Sequence, residues 1–162
     1  MDDATRQDDE SARAANSPLV RDFGLLIKVA TRLEQRIDTA LRQECGIGHT
    51  MFEVLIRLCR QPGEDVSQRV LATDLTLTSG GITRLVDRME EAGLVRRLPS
   101  PGDRRSVLVE ATEQGRAVFL RAAAVHAGVV ERHFVTPVAG GDYARLTGSL
   151  REIHRALRDD AD

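Results

Sequence analysis

Two short helices, each with its own capping residue, are predicted about three residues apart in the middle of the chain. Ser67 is placed to cap the first helix, and Thr78 or Ser79 is placed to cap the second. Their apolar positions are Val70, Leu71 and Leu75 in the first helix and Ile82, Leu85, Val86 and Met89 in the second. This arrangement is typical of a helix-turn-helix, although the turn position that is often glycine is Thr76.

A β-hairpin is predicted directly after the second helix. Gly93 ends that helix, residues 94–98 form a short strand, 99–102 form a turn and 106–111 form the returning strand. Val107, Val109 and Ala111 alternate along the returning strand, which predicts that they share its buried face. The order of helix, turn, helix and hairpin predicts a winged helix-turn-helix over residues 48–112.

Long amphipathic helices flank this middle region. Apolar residues alternate at spacings of four and three from Leu19 to Ala40, which predicts one stripe along a helix within 18–47. Thr112 begins further helices over 113–162, and the last of them repeats this spacing. The fold class is therefore mainly α with a small β wing, in which the flanking helices form a dimerisation bundle. The stripes predict a homodimer.

The first 17 residues contain five acidic side chains and almost nothing apolar to bury. They are predicted to form a disordered acidic tail.

The overall composition limits the classes of function. The net charge of −2 over 162 residues means that any affinity for nucleic acid has to come from locally placed charge. No signal peptide and no apolar run of about 18 residues occurs, so we expect a cytoplasmic protein without membrane contact. The four histidines lack metal-ligand spacing, and no catalytic signature is present, so we expect neither a metal, nor a cofactor, nor an enzyme.

The exposed face predicted for the second helix begins with small, uncharged residues and ends with arginines. The candidate DNA-binding residues on it are Thr78, Ser79, Gly80, Thr83, Arg84 and Arg88. Small residues let a helix enter the major groove closely, and arginines reach phosphates or a guanine edge.

The tip of the hairpin supplies three further candidates for DNA contact. Arg104 and Arg105 are adjacent there, and basic residues on a wing can enter the minor groove. Asp103 is expected to fix the tip by a hydrogen bond to Arg105 or to backbone amides of the turn.

The chain resembles the MarR family of winged-helix transcriptional regulators. The resemblance is carried by GGITRLVDRMEEAGLVRR (80–97), DRRS (103–106) and LVEATEQG (108–115). Where the family often has Leu-Thr at the end of the wing, this chain has Ala111-Thr112. The resemblance implies a dimer on a pseudo-palindromic operator, with recognition helices in the major groove, wings in the minor groove, and release by a small ligand or by thiol oxidation.

The urate-responsive members of that family use an acid and an arginine on the second helix, together with a tryptophan. Glu53 and Arg60 stand at similar places and are the candidate effector-binding residues, but the chain has no Trp. The effector is expected between the helical bundle and the wing domain. Two alternatives stay open: a redox-sensing regulator that uses Cys45, and a winged-helix module that binds protein.

Overall fold

The computed structural model describes residues 3–61, 63–100, 106–138 and 140–159. Seven α-helices and two strands occur in these ranges. In chain order they are α1 (Asp3–Ala15), α2 (Pro18–Cys45), α3 (His49–Arg60), α4 (Gln68–Asp74), α5 (Ser79–Glu91), β1 (Val95–Pro99), β2 (Val107–Ala111), α6 (Glu113–Val130) and α7 (Asp142–Asp159). A π-helical segment, Glu131–Val135, continues α6. The predicted class, mainly α with a two-stranded wing, is confirmed.

By its internal contacts the chain divides into two units, Met1–Arg36 and Ile37–Asp162. The division lies within α2, whereas the sequence placed the edge of the winged domain at residues 47 and 48. In the first unit the structure corrects a prediction, because Asp3–Ala15 form a helix where a disordered tail was expected. Alanine, arginine, glutamine and glutamate favour helix even where a segment has little to bury, and residues 6–15 are all exposed.

The second unit contains the hydrophobic core. Leu41 of α2, Leu55 of α3, Leu71 of α4, Met89 of α5 and Ala122 of α6 are all fully buried in it. Each element buries one apolar stripe against its neighbours, as amphipathic helices must. The core therefore joins the helix-turn-helix to α3 and α6.

The wing is an antiparallel pair in which Val95 lies opposite Ala111 and Pro99 lies opposite Val107. The predicted alternation along the returning strand is wrong in part. Leu108 and Val109 are both buried, whereas Val107 is 39% exposed. The Val109 amide donates to the Val66 carbonyl at 2.9 Å, so the segment before α4 covers the edge of β2, and both faces of the strand are covered at residues 108 and 109.

The start of α6 is built against the end of α5. The Thr112 hydroxyl accepts from the Gly115 amide at 2.9 Å and donates to the Gly93 carbonyl at 2.6 Å. A Cβ on Gly115 would stand 1.9 Å from the Leu94 carbonyl oxygen, so only glycine fits there. This contact fixes the base of the wing, where β1 begins and β2 ends.

Candidate nucleic-acid interface

The caps of α4 and α5 form as the sequence predicts. The Ser67 hydroxyl accepts from the Val70 amide at 3.2 Å, and the Thr78 hydroxyl accepts from the Gly81 amide at 3.1 Å. Thr78, one of the two candidates, is thus the cap of α5. Each cap satisfies an amide that would otherwise lack a partner at the helix start.

The turn between α4 and α5 places Thr76 in a left-handed conformation, with φ of 52°. A residue with a Cβ is strained in this region of backbone space, which explains why glycine often stands at this position. The Leu77 amide donates to the Ala72 carbonyl at 2.8 Å and closes the turn.

The helix α5 buries one face and exposes the other. Its buried face includes Ile82 and Leu85, as predicted from the sequence. The exposed residues include all six candidates for DNA contact on this segment, namely Thr78, Ser79, Gly80, Thr83, Arg84 and Arg88. The structure therefore gathers these candidates on one exposed face. We call this set of six the reading face.

The two arginines of the reading face are not neutralised by any carboxylate among the described residues. Arg84 Nε donates to the Gly80 carbonyl at 3.2 Å, which aligns the side chain along its own helix. Neither Arg84 nor Arg88 forms an ion pair with any other residue that the structure describes. The terminal Nη groups of Arg84 and the guanidinium of Arg88 form no hydrogen bond with a described residue, so their donors are available to an external acceptor.

The Thr83 hydroxyl, by contrast, already has two partners. Gln68 Nε2 donates to Thr83 Oγ1 at 2.7 Å, and Thr83 Oγ1 donates to the Ser79 carbonyl at 2.9 Å. Contact of this hydroxyl with a base would require a change of these hydrogen bonds. Its methyl group is the part that can meet a thymine methyl without any such change.

Arg97, which no pattern in the sequence identified, positions the reading face. Arg97 of β1 is paired with Asp87 and with Glu90 of α5, at 2.6 Å in each case. Its backbone amide also donates to Glu90 Oε1 at 3.0 Å. This amide and the guanidinium hold the pKa of Glu90 below its usual value. Arg97 therefore joins the first strand of the wing to α5.

Arg97 also contacts Gln68, the side chain that donates a hydrogen bond to Thr83. Its Nε lies 3.5 Å from Gln68 Oε1, at the limit of a hydrogen bond, and Nη2 lies 3.4 Å from the Thr83 carbonyl. An arginine within a predicted strand, ten residues after an aspartate on a helix, was the available signal. It becomes informative only when the fold has placed β1 beside α5.

Arg96, the neighbour of Arg97, pairs with Glu110 directly across the hairpin. This pair lies on the surface, where an ion pair contributes little to stability. Asp103, Arg104 and Arg105 lie outside the described residues, so their predicted roles at the wing tip stay predictions.

The candidate effector residues are both on α3, two turns apart. Glu53 is half-buried and Arg60 is exposed. A cavity of about 430 Å³ beside the end of α3 is lined by Leu58 and Cys59, and by neither of these two residues. Cys45 and Cys59 are both half-buried and form no disulfide.

No helix in the described ranges has both the length and the apolar composition needed to cross a bilayer.

Comparison with known proteins identifies the family. Residues 47–107 match the MarR family. The chain is 28% identical over 137 residues to the HTH-type transcriptional regulator PecS of Dickeya dadantii, and the match covers 82% of each chain. It is also similar to Sco3205 of Streptomyces coelicolor, a MarR family regulator solved in complex with DNA. That similarity has 25% identity and a TM-score of 0.79, and covers 90% of this chain and 93% of Sco3205.

A third relative was solved with a small molecule. CouR of Rhodococcus jostii RHA1, bound to p-coumaroyl-CoA, is 31% identical with a TM-score of 0.73, and the match covers 88% of this chain and 95% of CouR. These relatives are transcription regulators rather than enzymes. The chain belongs to the MarR family of winged-helix, DNA-binding transcription regulators.

Proposed function

We propose that this protein is a homodimeric repressor of nearby genes that binds a pseudo-palindromic operator and is released by a small-molecule effector. One observation carries the proposal: the reading face presents small polar residues at the start of α5 and two guanidinium groups without ion pairs among the described residues. A folded domain leaves such charges exposed at little cost, and duplex DNA supplies the acceptors that they lack.

The proposed contacts follow the order of residues along α5. Ser79 and Gly80 at its start approach the base edges in the major groove, because their side chains are too small to hold the helix away. Arg84 and Arg88, further along, contact a guanine edge or phosphates. Thr78 and Thr83 complete the surface at the groove.

The wing is proposed to enter the adjacent minor groove. Its base is fixed to α5 through Arg97, so a displacement of one element is transmitted to the other. Arg104 and Arg105 would supply positive charge in the groove, where a narrow stretch of A·T pairs concentrates negative potential, and Asp103 would orient them.

Exposed apolar side chains support a homodimer. In the first unit, Leu19 is 85% exposed and Phe23 is 65% exposed on α2. In the second unit, Ile153 and Leu157 are exposed on α7. Apolar rows of this kind normally lie in an interface, which supports dimerisation through helices within 18–47 and 113–162. Two recognition helices then dock when they are one helical turn of DNA, about 34 Å, apart.

The effector is proposed to act on that spacing. A ligand that binds one arrangement of the dimer better than the other shifts the population away from the DNA-competent form. The relative CouR binds p-coumaroyl-CoA, which supports a small organic effector. Glu53 and Arg60 stay candidates for contact with it.

The experiment is fluorescence anisotropy of the purified protein with DNA from upstream of its own gene, against scrambled DNA, at two salt concentrations. We expect tighter binding to the upstream DNA and a steep fall in affinity with salt, because each neutralised phosphate releases counterions. The matched variants are Arg88→Ala on the reading face and Arg121→Ala on α6, of which only the first should weaken binding.

Equal affinity for both DNAs with a shallow salt dependence would contradict the proposal and favour the module that binds protein. Dimerisation is measured separately by sedimentation, in which Phe23→Asp should increase the monomer fraction.

A further inference from the structure

Gln68, the first residue of α4, stands in the middle of a row of polar contacts that runs from the wing to the start of α5. On one side, Arg97 Nε lies 3.5 Å from Gln68 Oε1. On the other side, Gln68 Nε2 donates to Thr83 Oγ1 at 2.7 Å. The Thr83 hydroxyl in turn donates to the Ser79 carbonyl at 2.9 Å. The donors in this row all point from the wing toward the reading face.

The charge of Arg97 sets the orientation of the Gln68 side-chain amide. A guanidinium has donors and no acceptor, so the carbonyl oxygen of Gln68 has to face it, since the reversed amide would place an NH₂ group against a cation. Arg97 is itself held by Asp87 and Glu90, at 2.6 Å in each case, and its side chain is only 24% exposed. The NH₂ group of Gln68 is therefore directed at Thr83.

This amide decides how the Thr83 side chain is held. Because Gln68 Nε2 donates to Oγ1, the hydroxyl proton of Thr83 has to go to another acceptor, which is the Ser79 carbonyl one turn earlier. A threonine in a helix normally populates two χ1 rotamers. Two hydrogen bonds to one oxygen favour the single rotamer in which Oγ1 lies between Gln68 and Ser79. The methyl group of Thr83 then has a fixed position as well.

Thr73 of α4 shows the same side chain without the glutamine. Its Oγ1 donates to the Arg69 carbonyl, one turn earlier, at 3.2 Å. No second partner holds this hydroxyl among the residues that the structure describes. Thr73 and Thr83 are both exposed and bond to their own helix in the same way, so Gln68 is the added constraint on Thr83.

We propose that Gln68 is a specificity-determining positioning residue, which fixes Thr83 so that its methyl group rather than its hydroxyl meets a base in the major groove. Thymine is the base that offers a methyl group for such a contact. Gln68 thereby favours thymine at one position of each half-site without touching the base. This preference rests on the proposed function, whereas the fixed rotamer of Thr83 does not.

The rotamer is tested on the full chain without DNA. Three-bond couplings from the Thr83 methyl carbon to the backbone nitrogen and to the carbonyl carbon measure its χ1 angle. We expect the values of one rotamer in the wild type and averaged values in Gln68→Met, which keeps the length of the side chain and loses both of its hydrogen bonds. Thr73 in the same spectra is the reference for an averaged threonine.

A second glutamine provides the matched control. Gln114 Nε2 donates to the Ala92 carbonyl at the opposite end of α5, at 3.2 Å. We expect Gln114→Met to leave the couplings of Thr83 at their wild-type values, because this bond does not involve Thr83.

The base preference is tested by replacing each thymine of the bound DNA, one at a time, with deoxyuridine, which lacks only the C5-methyl group. We expect one replacement in each half-site to weaken binding by the wild type about fourfold, which corresponds to the burial of one methyl group. This effect should disappear in Thr83→Ser, which has no methyl group, and persist in Thr83→Val, which has no hydroxyl.

Gln68→Met should reduce the effect at that same position to less than about twofold. Its salt dependence should equal that of the wild type, because the glutamine carries no charge and neutralises no phosphate.

A single rotamer of Thr83 in Gln68→Met would overturn the proposal. So would a deoxyuridine effect that is as large in Gln68→Met as in the wild type, or a uniform loss of affinity for all of these DNAs, which is the signature of a general structural change. Equal affinity of the wild type for upstream and scrambled DNA would instead contradict the proposed function, and the base preference with it.

Discussion

Arginines on the reading face and arginines on the first strand of the wing lie close together in sequence but differ in their surroundings. Arg84 and Arg88 have no ion pair with a described residue, whereas Arg96 and Arg97 are each paired with carboxylates. The first pair keeps its charge for an external partner. The second pair forms ion pairs that join the two strands of the wing and hold the wing against α5. The role of an arginine in this protein therefore depends on which carboxylates the fold brings near it.

The largest expected effect comes from disturbing the base of the wing without touching any arginine. In Gly115→Ala the new Cβ would collide with the Leu94 carbonyl, so α6 and β1 would have to separate. We expect the free energy of unfolding to fall by about 3 kcal/mol, measured by chemical denaturation. Gly128→Ala, on the same helix with open space around it, is the control and should stabilise by about 0.5–1 kcal/mol. Equal effects of the two changes would contradict the close contact.

Removal of a reading-face arginine should weaken DNA binding and leave the stability of the fold unchanged. We expect Arg88→Ala to cost about 1–3 kcal/mol in operator binding, measured by anisotropy, and to change the free energy of unfolding by less than about 0.5 kcal/mol. A loss of stability equal to the loss of affinity would show that Arg88 has an internal partner, as Arg97 has.

Removal of Arg97 should have the opposite signature. We expect Arg97→Ala to lower the free energy of unfolding by about 1 kcal/mol, because two half-exposed ion pairs to α5 are lost together. Arg97→Lys should recover only part of this, since one ammonium group does not reproduce a fork that meets two carboxylates. Arg96→Ala is the control, and its pair is exposed enough that we expect almost no change. Denaturation of all three variants measures the difference.

The turn before the reading face is expected to respond by a smaller amount. Thr76→Gly should stabilise the protein by about 0.5–1 kcal/mol, because the strain of a left-handed residue with a Cβ costs more free energy than the extra chain entropy that glycine loses on folding. Thr73→Gly, within α4, should destabilise it instead. If both changes destabilise, the strain assigned to residue 76 is absent.

The smallest effect concerns pH. The pKa of Glu90 is lowered in the folded protein, so its contribution is present above the unfolded value of about 4.3 and is lost as pH falls through the folded value. We expect Glu90→Gln to be less stable than the wild type at pH 7, and we expect this difference to shrink progressively as the pH falls below about 4.3, as measured by denaturation at each pH. A difference that stays constant with pH would exclude Glu90 as the titrating partner of Arg97.

Local features of this protein were predictable from its sequence, and tertiary ones were not. The caps Ser67 and Thr78 were predicted because a cap and its helix are neighbours in the chain. The reading face followed from helical periodicity. The role of Arg97 could not be predicted in the same way, because its partners Asp87 and Glu90 come near it only when β1 packs beside α5.

Two predictions failed for physical reasons that can be named. The alternation rule placed Val107 on the buried face with Val109 and Ala111, but Val107 is the first residue of β2, at the end of the strand away from α6, and is exposed. Leu108, on the other face, is buried because the segment before α4 pairs with it at Ser67. The tail was predicted from what it could bury, and intrinsic helix propensity was left out of that argument.

The π-helical segment Glu131–Val135 changes the side of the helix on which its residues lie. A π-helical turn holds one residue more than an α-helical turn, and each residue rotates a helix by about 100°. A stripe extrapolated along α6 therefore falls on a different side within Glu131–Val135, the last helical residues before the turn at 136–137. Removal of one residue there would turn the point at which the chain leaves the helix by that angle. An insertion or deletion at this point therefore changes the direction in which the chain leaves the helix more than it changes the length of the helix.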